Sequence, residues 1–285
     1  MSFLVLSSPA KLNLFLEVQN KRPDGYHNIV TLFERIDLKD EISFRAVENG
    51  HIRVVCNHPD VPTGPKNLVY KVALLLKEEF GLTQGVEIRI NKRIPVAAGL
   101  AGGSSNAATA LLGLNRIWGL GLKKAQLVLL ARRIGSDVAF FLYDTSWGLG
   151  TERGDKIQAL NIKKKLWHIL VVPKIKMYSW KVYGGLKLQL TKGNDDANIL
   201  VRNLKKGNIL AASRLLKNDL EREIFRLSPN LEKLKKKLKL LKTIGVMASG
   251  SGPAVFGVTT GKKEAEAIKA VLSKRFDQVF VVKTL

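Results

Sequence analysis

The chain has 285 residues, of which 46% are hydrophobic, so it is long enough for one large or two medium domains with a buried core. No stretch approaches the roughly 18 consecutive apolar residues of a membrane helix, and the N-terminus lacks the basic start of a secretory signal. The single cysteine, Cys56, excludes an internal disulfide and a cysteine metal cluster, and we expect a cytoplasmic protein. The net charge of +23 favours anionic partners, either phosphorylated metabolites or nucleic acid.

Strands dominate the prediction for the first part of the chain. Leu12, Leu14 and Leu16 alternate with other side chains, and Asp24-Gly25 predicts a turn. Further strands are predicted at Thr31–Leu38, Glu41–Arg45, His51–Val55 and Val86–Ile90, and a helix at Lys66–Phe80, ended by Gly81.

Helices and strands are mixed in the rest of the chain. The patterns predict helices from the glycine-rich segment to Trp118, at Lys123–Arg133 with Gly135 as its stop, over most of Ala197–Lys242 with breaks at Gly207 and Pro229, and at Lys262–Arg275. They predict a short apolar turn at Val138–Leu142 capped by Ser136-Asp137, and strands at Trp167–Val172, within Val246–Thr259 and at Gln278–Val282. This order indicates an α+β protein in two lobes, which we divide into residues 1–158 and 159–285.

A glycine-rich segment follows one predicted strand and opens a helix. It comprises Pro95, Val96, Ala97, Ala98, Gly99, Leu100, Ala101, Gly102, Gly103, Ser104, Ser105 and Asn106. Its glycines let a ligand approach the main chain, and Ser104 and Ser105 are predicted to cap the helix, whose N-terminus then attracts anions. No lysine follows the glycines and G-x-G-x-x-G is absent, so it is not a Walker loop. The alternative is a tight turn before a close-packed helix.

Three further segments accompany the glycine-rich one. They are Ser8–Leu16 (SPAKLNLFL) followed by Arg22–His27 (RPDGYH), Gly135–Phe141 (GSDVAFF), and Ser249–Phe256 (SGSGPAVF). In this order the segments resemble the GHMP kinases, and the resemblance runs from Ser8 to about Gly257. The N-terminal pair is the most specific part. It narrows the resemblance to the branch of the family that phosphorylates 4-diphosphocytidyl-2-C-methyl-D-erythritol in the non-mevalonate isoprenoid pathway.

The resemblance implies a two-lobed GHMP kinase fold that takes ATP and Mg²⁺. It implies Lys11 and Asp137 as the catalytic pair, and the glycine-rich segment as the phosphate-binding loop, with no protein-held metal. The residues implied for the adenine pocket are Asn67, Leu68 and Lys92, and those implied for the small-molecule substrate are Asn13, Tyr26, His27 and Tyr183.

The glycine-rich segment departs from the family at Ala97, Ala98 and Ala101, where glycine is usual. Alanine fits a right-handed or extended backbone, but a positive φ at any of these positions would require the loop to shift. The departures therefore concern how the phosphates are held and leave the catalytic pair untouched.

Other functions remain open at this point. Taken singly, Lys11 is explained as a solvated strand residue, Asp137 as a helix cap, and Tyr26 and His27 as exposed turn residues. A GHMP kinase acting on mevalonate or homoserine is an alternative, although such small substrates would not require Tyr26-His27. A basic RNA-binding protein is the alternative from another class, but no aromatic stacking motif accompanies the basic residues, so we expect no specific nucleic-acid partner. No membrane partner is expected, and the sequence leaves the oligomeric state open.

Overall fold

Two long strands and a mixed set of helices and short strands form the protein in a computed structural model, which describes residues 3–186 and 195–285. The β-strands are β1 Phe3–Lys21, β2 His27–Val47, β3 Ile52–Cys56, β4 Gly85–Asn91, β5 Trp147–Thr151, β6 Lys156–Leu160, β7 Trp167–Val171, β8 Lys217–Asn218, β9 Gly245–Ala248, β10 Val255–Thr259 and β11 Val279–Lys283. The helices are α1 Leu68–Phe80, α2 Gly102–Ile117, α3 Lys124–Ile134, a 3₁₀ helix Ala139–Leu142, α4 Ser179–Gly184, α5 Asp196–Lys205, α6 Ile209–Ser213, α7 Glu221–Leu227, α8 Pro229–Lys239 and α9 Lys262–Leu272. The predicted α+β class is confirmed.

The chain divides into two compact units that are discontinuous in sequence. The first unit holds the described chain up to Ala10, Leu38–Val96 and Ala101–Asp144, and the second holds Lys11–Asp37, Ala97–Leu100 and the described part of Thr145–Leu285. β1 and β2 each contribute one part to either unit. The predicted boundary between residues 158 and 159 separates the two lobes that the sequence indicates, and it stays a prediction.

In the first unit a small sheet is covered by helices. Glu41–Val47 of β2 pairs antiparallel with β4, and β3 pairs parallel with β4. α1 packs against α2. Gly113 of α2 allows that helix to lie close to the sheet, because an added β-carbon there would come within 2.5 Å of the Phe44 ring.

The second unit has two sets of paired strands around a large apolar core. Phe15-Leu16 of β1 pairs parallel with β8, Thr31–Glu34 of β2 pairs antiparallel with β5, and β5 pairs with β6. A four-stranded antiparallel sheet has the order β11-β7-β10-β9. The leucines of the lysine-rich helix α8 at positions 231, 234 and 238 are buried in this core, while its lysines lie outside it, as their helical spacing predicts.

Several predicted ends and breaks are confirmed. Gly81 ends α1 in the left-handed conformation, Gly135 follows the last residue of α3, and α8 begins at Pro229. Strands β5 and β6 and helix α4 were not predicted. Among the described residues, no helix has both the length and the apolar character needed to cross a membrane.

Candidate active site

Lys11 lies on the part of β1 that belongs to the second unit, and its side chain is buried. Its Nζ donates to Asn13 Oδ1 at 2.5 Å and to the carbonyl oxygen of Gly99 at 3.3 Å. The Lys11 backbone N–H also donates to Leu100 O at 3.2 Å. The predicted catalytic lysine, a predicted substrate residue and the glycine-rich segment are therefore together, and the two oxygen acceptors offset part of the cost of burying the ammonium group.

The Asn13 amide is oriented by hydrogen bonds on its other side. Asn13 Nδ2 donates to Thr31 Oγ1 at 2.7 Å, and Thr31 Oγ1 donates to the carbonyl oxygen of Phe15 at 2.7 Å. Because Thr31 Oγ1 has given its own proton to Phe15, it accepts from Asn13, and the amide oxygen of Asn13 is left facing Lys11.

Residues Ser249–Gly252 (SGSG), here called the second glycine cluster, pack directly against the glycine-rich segment. Ser249 Oγ donates to Gly99 O at 3.1 Å, and Ala254 N donates to Ala98 O at 3.2 Å. Gly99 has φ +76°, and an added β-carbon would lie 2.1 Å from the carbonyl oxygen of Ser249, so only glycine fits there. A β-carbon on Gly250 would lie 3.4 Å from Lys11 Nζ, which places this cluster beside the buried ammonium group.

Helix α2 begins at Gly102 without a side-chain cap. Its N-cap residue is Ala101, so the prediction that Ser104 and Ser105 cap the helix is wrong: both residues lie in the first turn. Ser105 Oγ is instead buried against Ser8 Oγ at 2.8 Å. The first N–H groups of an α-helix lack intrahelical partners and favour an anion. Among the described residues, a β-carbon on Gly103 would meet only Leu68 Cδ1 at 3.9 Å, so the first turn is uncrowded on that side.

Two of the alanines that replace family glycines have positive φ. Ala97 has φ 53° and Ala101 has φ 52°, whereas Ala98 is not in this region. The backbone is therefore strained at Ala97 and Ala101, because a positive φ is unfavourable for an L-residue with a β-carbon.

The three residues predicted for the adenine pocket lie in the first unit. Asn67 caps α1, where its Oδ1 accepts from Val69 N at 2.8 Å and its Nδ2 donates to Pro62 O at 2.6 Å. Leu68 is the first residue of α1. Lys92 is paired with Asp40 at 2.5 Å, and burial lowers the pKa of Lys92 below its ordinary value although the Asp40 charge acts in the opposite direction. Contact of these residues with adenine stays a prediction.

Three of the residues implied for the small-molecule substrate, Tyr26, His27 and Tyr183, form two aromatic contacts in the second unit. The ring of His27 stacks on that of Tyr183, with centroids 5.4 Å apart. The half-exposed ring of Tyr26 lies 5.0 Å from the guanidinium carbon of Arg153, which pairs with buried Asp155 at 2.7 Å. Partial burial, assisted by the charge of a nearby lysine, lowers the pKa of His27 below its ordinary value, so the imidazole is mainly neutral at pH 7.

Asp137 lies in the first unit, in the turn that joins α3 to the 3₁₀ helix. It is half-buried, and Val138 N donates to Gly135 O at 3.3 Å across this turn. Its predicted catalytic role stays a prediction. Among the described residues, no group of three or more His, Cys, Asp or Glu side chains is placed to hold a metal ion.

Comparison with known proteins adds the decisive observation. Residues 67–145 match the model of the GHMP kinases N terminal domain, and residues 200–278 match that of the GHMP kinases C terminal domain. The 4-diphosphocytidyl-2-C-methyl-D-erythritol kinase of Geobacillus kaustophilus is 41% identical over 283 residues, which cover 99% of this chain and 97% of the relative. The kinase of the same name from Bacillus anthracis is 39% identical over 283 residues, which cover 99% of this chain and 97% of the relative.

The chain belongs to the GHMP kinase family. This GHMP kinase is therefore an enzyme that phosphorylates an alcohol, and family membership implies ATP as its co-substrate.

Solved structures agree with this assignment of the fold. A crystal structure of a 4-(cytidine 5'-diphospho)-2C-methyl-D-erythritol kinase is 30% identical, covers 98% of both chains and has a TM-score of 0.83. A homoserine kinase from Cytophaga hutchinsonii is 20% identical with a TM-score of 0.80 over 100% of this GHMP kinase and 95% of its own chain. At that identity the second structure supports the fold alone, and the predicted GHMP kinase fold is confirmed.

Sequence reasoning missed Arg153 and Asp40. Arg153 lies in the turn between β5 and β6, where Glu152 and Gly154 have positive φ, and the short run Glu152–Asp155 has turn composition. Asp40 gave no local signal, because it lies in the charged run Lys39-Asp40-Glu41, where a solvated carboxylate is the expected outcome.

Replacing Ala101 with glycine is predicted to stabilise this GHMP kinase. A left-handed conformation costs an L-residue about 1–2 kcal/mol, and the added freedom of the unfolded glycine chain costs about 0.4–1 kcal/mol, so Ala101→Gly should raise the free energy of unfolding by up to about 1.6 kcal/mol. Ala108→Gly, in the interior of the same helix, is the matched control and should lower it by about 0.5–1 kcal/mol or more. Chemical denaturation measures both, and equal losses would contradict a strained Ala101.

Proposed function

We propose that this protein transfers the γ-phosphoryl group of ATP to the C2 hydroxyl of 4-diphosphocytidyl-2-C-methyl-D-erythritol. The observation that carries the proposal is the buried Lys11 ammonium, held by Asn13 and Gly99 beside the second glycine cluster. The curated relatives named for this activity, at 41% and 39% identity over nearly the whole chain, favour this alcohol over mevalonate or homoserine.

In the proposed reaction the C2 hydroxyl oxygen attacks the γ-phosphorus of ATP. The bond between the γ-phosphorus and the bridging oxygen breaks, ADP leaves, and Asp137 accepts the proton of the hydroxyl. Lys11 offsets the negative charge that develops on the transferred group, and the low exposure of its side chain strengthens that interaction. The N–H groups at the start of α2 bind the ATP phosphates.

The substrate's cytosine is proposed to bind at the aromatic residues of the second unit. Tyr26 offers a π-face, and neutral His27 offers both a donor and an acceptor to the polar edge of the base. Tyr183, which stacks on His27, closes the base-binding site from helix α4.

Mg²⁺ is proposed to reach the site bound to the ATP phosphates. The described side chains offer no cluster of His, Cys, Asp or Glu for it, and the nearby hydroxyl of Ser105 is bonded to Ser8. We therefore assign no step to the ion beyond neutralising phosphate charge when bound. Cytoplasmic location and the lack of a specific nucleic-acid partner stay predictions.

An assay of ADP release tests the proposal with three alcohols at equal concentration. We expect turnover with 4-diphosphocytidyl-2-C-methyl-D-erythritol and no ADP release above background with mevalonate or homoserine. A preference for either of the small alcohols would overturn the substrate assignment and retain a GHMP kinase of another specificity.

Removing either proposed catalytic group should reduce turnover. Lys11→Met and Asp137→Asn are each expected to lower kcat by about 10²-fold or more with a modest change in KM, and the double variant should lose much less than the product of the two. Lys217→Met is the matched control, because Lys217 lies on the adjoining strand β8 near the Phe15 ring, but its ammonium group pairs with Glu17 and Asp219. Wild-type kcat in Asp137→Asn would remove Asp137 from the role of base.

Truncating the aromatic residues should affect the cytidine substrate alone. Loss of one base–aromatic stack costs about 1–3 kcal/mol, so Tyr26→Ala should raise KM for the diphosphocytidyl substrate by roughly 5- to 150-fold. His27→Ala should also weaken the preference for cytidine over uridine analogues, because a polar edge of the base loses its partner. KM for ATP is the internal control and should not change. Wild-type KM and base preference in both variants would mean that these residues only shape the turn.

A further inference from the structure

Asp40 is a buried carboxylate that accepts hydrogen bonds on both oxygens. Its Oδ2 accepts from Lys92 Nζ at 2.5 Å and from Asn106 Nδ2 at 2.8 Å. Its Oδ1 accepts from the backbone N–H groups of Arg93 at 2.7 Å and Ile94 at 2.8 Å. The Asp40 side chain is fully buried and that of Lys92 is 4% exposed, so this group is held without help from bulk water.

The four donors lie on the two sides of the glycine-rich segment. Lys92, Arg93 and Ile94 immediately precede Pro95, while Asn106 is in the first turns of α2. Asp40 therefore fixes the entry and the exit of the segment to one another, with all of these residues in the first unit.

A second set of contacts extends this attachment into helix α2. Asn106 Nδ2 also donates to Ser8 Oγ at 2.9 Å, and Ser8 Oγ bonds to Ser105 Oγ at 2.8 Å. Gly102, the first residue of α2, lies directly over the ion pair, since an added β-carbon would be 2.8 Å from Lys92 Nζ and 3.0 Å from Ile94 Cγ2.

We propose that Asp40 is a positioning residue for ATP. It holds the first turn of α2, and so its outward N–H groups, in the place where they bind the phosphates, and it keeps the Lys92 charge beneath that turn. This inference rests on the proposed function only in taking the ATP phosphates to bind at the start of α2. A shift of about 1 Å in groups that orient a substrate can reduce the rate by about 10²-fold, so a fixed loop has a large effect on function.

Four single variants, the last of them Asp40→Glu, test the role of Asp40. Asp40→Asn removes the charge and turns one acceptor into a donor facing Lys92 and Asn106. Asn106→Ala keeps the ion pair and removes the bonds of the Asn106 amide to Asp40 and Ser8, so it remains informative if Asp40→Asn does not fold. Glu87→Gln is the control: Glu87 is also a buried carboxylate in the first unit, paired with Arg45 and Arg89 at 2.7 Å each, but it makes none of the contacts to the glycine-rich segment described above.

Each variant is measured for the Kd of Mg·ATP by calorimetry without the alcohol, for KM of both substrates, and for its thermal midpoint. We expect Kd and KM for ATP to rise about tenfold or more in Asp40→Asn and by a smaller factor in Asn106→Ala, with KM for the alcohol within twofold of wild type. Asp40→Glu should recover part of the ATP affinity. Glu87→Gln should lower the midpoint and leave ATP affinity unchanged.

Unchanged ATP affinity in Asn106→Ala, or equal losses of affinity in Asp40→Asn and Glu87→Gln, would overturn the positioning role. Because calorimetry needs no alcohol, a wild-type enzyme that binds ATP but does not turn over the diphosphocytidyl substrate would contradict the proposed function alone.

Discussion

The arrangement around Lys11 depends on the close packing of Gly99 against the carbonyl oxygen of Ser249. A β-carbon on Gly99 would lie 2.1 Å from that oxygen, far inside van der Waals contact, and the residue also has positive φ. The approach brings the Gly99 carbonyl within reach of both Ser249 Oγ and Lys11 Nζ. A single glycine therefore permits the arrangement that holds the buried ammonium group in the second unit.

The glycine-rich segment is held in its conformation by contacts from other parts of the chain rather than by its own preferences. In the second unit its carbonyl groups at positions 98, 99 and 100 accept from Ala254, Ser249 and Lys11. In the first unit Asp40 binds the residues just before it and Asn106 at its end. Such contacts explain how Ala97 and Ala101 remain in a conformation that costs alanine energy. Ala97 and Ala101 therefore show that the fold holds a left-handed backbone without glycine in the segment predicted to bind phosphate.

The sequence predicts elements whose signals are local. Gly81 marks a helix end because the left-handed conformation after a helix suits glycine, and Gly135 marks another because glycine is a poor helix former. The leucines of α8 mark a buried face through their spacing. Strand β5 was missed because Gly148 and Gly150 weaken its pattern. The structure explains Gly150, since a β-carbon there would come within 2.8 Å of the Phe33 ring on the neighbouring strand. That contact joins residues far apart in the chain, and no local pattern reports it.

The candidate site also combines residues that local patterns predict with residues whose contacts are distant in sequence. The glycine-rich segment and Lys11 were found from motifs, whereas the capping role given to Ser104 and Ser105 was wrong because Ser105 is bonded to Ser8, far away in sequence. Asp40 and Lys92 are separated by 52 residues, so no local pattern reports their contact. His27 and Tyr183, whose rings stack, were predicted only through the family resemblance.

The central claim is that the contact of Gly99 with Ser249 sets the catalytic arrangement. The most direct measurement is kcat of Gly99→Ala beside Gly64→Ala, whose new methyl group meets nothing within 4 Å and whose backbone is not in the left-handed region. We predict that Gly99→Ala loses about 10²-fold or more in kcat while Gly64→Ala keeps wild-type turnover. Wild-type kcat in a folded Gly99→Ala protein would contradict the claim.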